Sequence, residues 1–186
     1  MHPRQKRLRE GRPPTYVRDV EERSAVRIVG VSEDDIDWIT RACQDPEIQR
    51  WTTVPRPYTR DHAVWFVNNP REEAHRWAIR TTTGNEPVGM ISVHSVNSET
   101  RAADIGYWVA PWGRRVGAAS GAVRLVIDEV RRLGSVDTVE ARVAVTNTAS
   151  RRTVESCGFV AVEDPDGVRC PDGGGEVEAV VYRLAL

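Results

Sequence analysis

The sequence predicts a mixed α/β domain of the α+β kind, with a mostly antiparallel central sheet flanked by helices. Three observations predict it. Apolar residues recur with period two in some segments and with period about 3.6 in others, in the order β-α-α-β-β-β-α-β-α-β-β. Three consecutive strand segments in the middle are joined by short turn sequences, which makes a meander. The chain has 186 residues, 40% hydrophobic and 28% charged, which suits one substantial core.

The elements follow in order. Residues 1–22 include Arg4-Gln5-Lys6-Arg7 and Arg12-Pro13-Pro14, are basic and polar, and lack apolar periodicity. They read as a flexible basic N-terminal extension, and an RNA-touching arm is the alternative. Residues 23–186 read as a single domain. Val26 to Val31 is a strand. Ser32 suits an N-cap, and Glu33, Asp34 and Asp35 suit the helix start behind it. Ile36, Ile39 and Cys43 mark that helix face, which ends near Asp45-Pro46. Ala63, Phe66 and Val67 mark a second helix over 59–69, closed by Pro70. Arg76 to Thr82, Val88 to Val96 and Ala102 to Val109 form the meander, with turns at 83–86 and 97–99. Val116 to Leu133 is a strong helix with Gly134 as its C-terminal stop. Val136 to Val145 is a strand, 148–157 a helix stopped by Gly158, and Phe159 to Glu163 a strand. Asp164 to Glu178 is rich in Gly, Pro and Asp and reads as a long loop, and Ala179 to Leu186 is the last strand.

Composition excludes several function classes. With 26 basic and 27 acidic residues the net charge is -1, so no global field grips nucleic acid or an anionic membrane. No run of about 18 apolar residues spans a bilayer, and no apolar segment near Met1 forms a secretory signal. Cys43, Cys157 and Cys170 are odd in number and scattered, which suits neither a disulfide framework nor a zinc site. The expected location is the cytoplasm, and no metal is expected. Lys6 is the only lysine, so Schiff-base chemistry and a Walker-type lysine are absent from the domain.

Two segments carry chemistry. In Val109-Ala110-Pro111-Trp112-Gly113-Arg114-Arg115-Val116-Gly117-Ala118-Ala119-Ser120-Gly121 a strand enters a glycine-containing turn that opens a helix. Small side chains in the first turn let an anion reach free N–H groups, and the helix dipole favours negative charge there. Arg114 and Arg115 add positive charge with geometry suited to phosphate oxygens. The arrangement is a pyrophosphate cradle; the alternative is a helix whose small residues pack closely on a neighbour. In Asn147 through Phe159, Asn147 suits the N-cap of the next helix, and the alternative is an amide that reaches a ligand.

Together these segments resemble the GNAT superfamily of acyl-CoA-dependent N-acyltransferases, in its RimJ/RimL-like branch. Arg114-Arg115-Val116-Gly117-Ala118-Ala119 matches the Q/R-x-x-G-x-G/A signature, and Asn147 to Phe159 matches N-x-x-S-R-R-x-x-E-x-x-G-F. Asp45-Pro46-Glu47, Trp77-Ala78-Ile79 and Asp104-Ile105-Gly106-Tyr107-Trp108 match further segments in the same order. The resemblance covers about residues 25–186.

The resemblance implies a V-shaped split between the fourth and fifth strands, holding the pantetheine arm of acetyl-CoA. Backbone groups of Trp108 and Val109 would bind its amides. The cradle of Arg114, Arg115, Val116, Gly117, Ala118 and Ala119 would hold the pyrophosphate, and Asn147 would contact the pantetheine. The implied reaction is direct acetyl transfer to a primary amine, of a protein N-terminus or a small molecule. A catalytically weak CoA-binding sensor or interaction module is the alternative. Asp104 occupies the position where the family places a carboxylate base; a salt-bridged strand carboxylate is the alternative, and Glu140 is a weaker candidate. The family's tyrosine acid is replaced by Val154, with Tyr107 and Ser150 as substitutes, and Ser150 is expected near the sulfur. His94 is a further proton carrier. Trp51 and Thr52 are expected to bind the acceptor, with Trp65, Trp108 and Trp112 beside them. Nucleic acid and membrane are not expected partners, and a homodimer is left open.

Overall fold

The computed structural model describes residues 25–69, 74–163 and 167–186. The expected basic extension over 1–22 lies outside the described residues, as does Pro70. Among the described residues eight strands form one sheet: β1 (Val26–Gly30), β2 (His75–Thr81), β3 (Pro87–Asn97), β4 (Ala102–Val109), β5 (Thr138–Ala144), β6 (Val160–Val162), β7 (Arg169–Asp172) and β8 (Gly175–Ala185). Their spatial order is β1-β2-β3-β4-β5-β8-β6, with β7 paired to β8. Every pairing is antiparallel except β4 with β5. The helices are α1 (Ile36–Ala42), α2 (Pro46–Trp51), α3 (Arg60–Asn68), α4 (Ala118–Leu133) and α5 (Thr148–Ser156).

Strand alternation sorts the core into two layers. On β4, Ala103, Ile105, Tyr107 and Val109 pack with Val139, Ala141 and Val143 of β5 against α4. Val123, Val126 and Val130 of α4 are fully buried there, and burial of each such side chain contributes about 1.5–3 kcal/mol. Trp108, Ala78 and Met90 face the other way, against α1, α2 and α3. The expected sheet with helices on its faces is present.

Several boundaries move for physical reasons. Helix α1 ends just before Asp45-Pro46, as expected, and the same pair starts α2, a helix the sequence reading lacked. The Asp45 carboxylate accepts the Ile48 N–H at 3.0 Å, and Pro46 stands in the first turn, where a missing N–H costs nothing. Helix α4 starts at Ala118 rather than Val116, because Arg115 and Gly117 take positive φ values of 64° and 76°, which no helix admits. The expected long loop over 164–178 contains β7 and the start of β8 instead. Gly173 and Gly174, with φ of 66° and 105°, make the tight turn between them. Gly134 does end α4 in the left-handed conformation. Asp35, read as part of an acidic helix start, is buried. It accepts the Trp38 indole N–H at 2.6 Å and the Ser32 N–H at 2.9 Å, and pairs with Arg80, tying α1 to β2.

Candidate active site

Strands β4 and β5 are in register at three positions only: Ala102 with Thr138, Ala103 with Val139, and Asp104 with Glu140. Beyond them β4 runs on to Val109 and β5 to Ala144, and their facing edges are not paired with each other. That split is the one the resemblance implied. Two cavities open from it, of about 460 Å³ toward the N-terminus of α4 and about 550 Å³ toward α2 and α3. They share Trp51, Thr52, Tyr107, Trp108, Asn147 and Ser150.

One wall of the first cavity is the start of α4, made of backbone and small side chains. The first helical bond of α4 runs from the Gly121 N–H to the Gly117 carbonyl, at 2.9 Å. The N–H groups of Ala118, Ala119 and Ser120 precede it, so they have no intrahelical acceptor. All three residues line the cavity, with Gly117. Of the two adjacent arginines, Arg114 is engaged by the protein. Its guanidinium pairs with Asp45, Nη1 lying 3.5 Å from Oδ2, and its Nε donates to the Val109 carbonyl at 3.3 Å. Arg114 therefore braces the turn against α2. Arg115 is exposed and stands in the left-handed region, a conformation that costs a non-glycine residue on the order of 1–2 kcal/mol. Val116 is exposed beside it and does not line the cavity. The Asn147 side chain accepts the Ser150 N–H at 3.1 Å, so it caps α5 while lining both cavities.

At the junction, the Tyr107 hydroxyl meets the Ser150 hydroxyl at 2.9 Å. Burial pushes the Tyr107 phenol up to about 12, partly offset by hydrogen bonds from Ser150 and Thr153. The phenol therefore stays protonated at neutral pH. Val154 is 0% exposed, packed into the core one turn after Ser150.

The second cavity is made of side chains from distant segments. Asp104, Gly106 and Trp108 share one face of β4. A register shift between Val93 and Ser95 in β3 turns the His94 ring over Gly106, where an added Cβ would lie 2.2 Å from Cε1. His94 Nδ1 is 3.6 Å from Asp104 Oδ2, and Arg142 Nη1 is 3.3 Å from the same oxygen. Asp104 Oδ1 is buried and has no hydrogen-bond partner. Glu140 pairs instead with Arg183 at 2.6 Å and lines neither cavity. Trp51, Thr52, Trp65 and Trp108 line the second cavity. Trp112 does not: its indole donates to the Pro87 carbonyl at 2.8 Å, and Arg41 covers its ring.

Sequence reasoning missed His62, Arg142, Cys170 and Pro171, which also line this cavity. Arg142 was findable, since strand alternation places it on the same face as Glu140. Cys170 and Pro171 belong to the hairpin read as a loop. Among the described residues no group of three or more His, Cys, Asp or Glu side chains is placed to hold a metal ion. No helix among them is long and apolar enough to cross a membrane.

A sequence profile described as an acetyltransferase (GNAT) domain matches residues 26–160. The chain is 28% identical over 135 residues to an uncharacterized N-acetyltransferase, p20, of Bacillus licheniformis, covering 68% of this chain and 74% of that protein. Its fold is similar to that of RimL, a ribosomal L7/L12 alpha-N-protein acetyltransferase solved with coenzyme A. That likeness has a TM-score of 0.76 at 17% identity, over 87% of this chain and 94% of the other. It is also similar to the spermidine N-acetyltransferase of Vibrio cholerae solved with CoA and spermine. There the TM-score is 0.73 at 16% identity, over 87% and 95%.

Proposed function

The chain belongs to the GNAT acetyltransferase family of acyl-CoA-dependent enzymes, and from that premise we propose that it carries acetyl from acetyl-CoA to a primary amine by direct attack in the split between β4 and β5. The observation that carries the reading is the junction of two cavities at that split. One presents amide N–H groups and the other is lined by the Asp104 carboxylate.

The first cavity fits a diphosphate-bearing thioester. The three N–H groups at the start of α4 would hold the diphosphate, helped by the helix dipole and Arg115. Trp108, Val109 and Asn147 would line the pantetheine arm. Bound acetyl-CoA supplies the activated acyl carbon. Arg114 serves this site by holding the turn rather than by touching phosphate.

The acceptor enters from the other cavity. Its ammonium has a reference pKa of about 8 for an α-amine and about 10 for a side-chain amine, so a proton must leave before attack. Asp104 is the base, with His94 and Arg142 beside its Oδ2. The amine nitrogen forms a bond to the acyl carbon as the carbon–sulfur bond breaks, and the electron pair stays on sulfur. Tyr107, kept protonated by burial and joined to Ser150, would donate a hydrogen bond to the departing thiolate, which takes its proton from solvent, in place of the tyrosine that Val154 displaces.

The test is CoA release over an amine panel, with Asp104→Asn beside the unsubstituted protein. The expected loss is about a hundredfold in kcat, with the Kd for acetyl-CoA unchanged. An unchanged kcat would remove Asp104 from the role of base. Acetyl-CoA binding with no release on any amine would favour a CoA-binding sensor instead.

A further inference from the structure

We infer that the amine acceptor is a small monoamine with an apolar, aromatic-sized body, and that polyamines are disfavoured. The inference rests on the acetyl-transfer reading above and names its substrate class.

The acceptor-side cavity, at about 550 Å³, is of a size that encloses a small molecule. Asp104 is the only carboxylate among the described residues that line it. One of its oxygens faces Arg142 and His94, and the other is buried without a partner. The cavity thus has a single carboxylate to meet an amine, and the Arg142 charge balances that of Asp104.

The remaining wall repels further cations. Trp51, Val54, Trp65, Phe66, Met90 and Trp108 line it. An aromatic box can hold an ammonium over its ring faces, but two of these rings already serve the protein's own cations. Arg50 lies 4.3 Å from the Trp51 ring centroid, and Arg76 lies 4.4 Å from that of Phe66. A second or third ammonium on the acceptor would lose its hydration beside apolar carbon and arginine, with no carboxylate to pair with.

The same wall favours a planar apolar body. Trp65 is 54% exposed although its indole borders the cavity. Leaving that ring open to water is unfavourable until something stacks on it, and ring stacking adds to simple burial. The backbone neighbour that acts on polyamines therefore shares this chain's fold without its acceptor cavity having to share that charge pattern.

The experiment measures CoA release with phenethylamine, tryptamine, spermidine and a serine-initiated tetrapeptide. The expected kcat/KM for the aromatic monoamines exceeds that for spermidine and the peptide by about tenfold or more. Trp65→Ala, at an exposed position, should raise KM for tryptamine several-fold and leave KM for acetyl-CoA unchanged. Thr53→Asp adds a carboxylate at an exposed position on the cavity wall and should raise kcat/KM for spermidine about tenfold. Preference for spermidine or the peptide overturns the substrate class while acetyl transfer stands, as does a Trp65→Ala variant with unaltered monoamine KM. CoA release with none of these or any other amine, despite acetyl-CoA binding, overturns the acetyl-transfer reading itself.

Discussion

The two cavities that meet at Tyr107 and Ser150 are made by opposite means. The one beside α4 takes one wall from a single stretch, Val109 to Ser120, which presents backbone N–H groups framed by Gly117 and two alanines. The one beside α2 and α3 draws side chains from positions as far apart as Trp51 and Pro171. A site read by backbone needs a local conformation, and a local conformation is written in adjacent residues. A site read by side chains needs tertiary assembly, and adjacent residues say little about it. The first suits a group common to a whole family, and the second suits an acceptor particular to one member.

The sharpest way to break that contrast is Gly117→Glu. The substitution forces an L side chain to φ +76° and sets a carboxylate beside the free N–H groups of α4. Strain on the order of 1–2 kcal/mol adds to repulsion of a diphosphate, so acetyl-CoA affinity by calorimetry should fall by about a hundredfold or more. An ideal Cβ at this position has no heavy atom nearer than Ser120 Oγ at 4.0 Å, so the circular dichroism of the fold should persist. Tight binding by the folded variant would move the cofactor to another place.

How much was legible follows the same line. Gly117, Ala118 and Ala119 were legible as a helix start of small residues behind a glycine turn, and α4 does start there. The resemblance pointed to Asp104 and to the split. Arg114 looked like a phosphate ligand, but its partner Asp45 lies 69 residues away and only the fold brings them together. Trp112 looked like an acceptor wall for want of knowing that Arg41 and Pro87 engage it. The hairpin of β7 and β8 was hidden by its own turn chemistry, since a sequence dense in Gly, Pro and Asp reads as loop until two glycines are seen joining paired strands.

Tyr107→Phe probes the junction, where the contrast should be weakest because both cavities use the residue. Loss of the hydroxyl should lower kcat about tenfold while leaving both KM values near those of the unsubstituted protein. Burial raises the folded pKa of Tyr107 above its ordinary 10.0, to about 12. Its contribution to stability is therefore complete below about pH 10 and is lost as pH rises toward 12. The activity profile should show no fall from this group between pH 7 and 9. Alkaline unfolding should begin at higher pH in Tyr107→Phe. An identical alkaline limb in both proteins would mean that the phenol is not held protonated by burial.

The smallest effect belongs to the clasp that seats the β7–β8 hairpin against the acceptor cavity. Asp172 takes the Arg50 Nε at 2.6 Å and the Thr146 hydroxyl at 2.8 Å, and the Gly173 N–H donates to the Arg50 carbonyl at 3.0 Å. The Arg50 hydrogen bond, then that of Thr146, holds the Asp172 carboxyl below its ordinary 3.8. The sign follows: the clasp's contribution is complete above about pH 4 and is lost as pH falls through the lowered value. Hydrogen-exchange protection of the Gly173 amide should stay level from pH 7 to 5 and drop below about pH 4. Asp172→Asn should lower it a few-fold from pH 7 to 5, abolish the drop below about pH 4, and raise the acceptor KM by a similar factor at neutral pH, with KM for acetyl-CoA unmoved. A hairpin that exchanges equally in both proteins would show that Cys170 and Pro171 are held against the cavity by β8 alone, and that this wall owes nothing to the ion pair with α2.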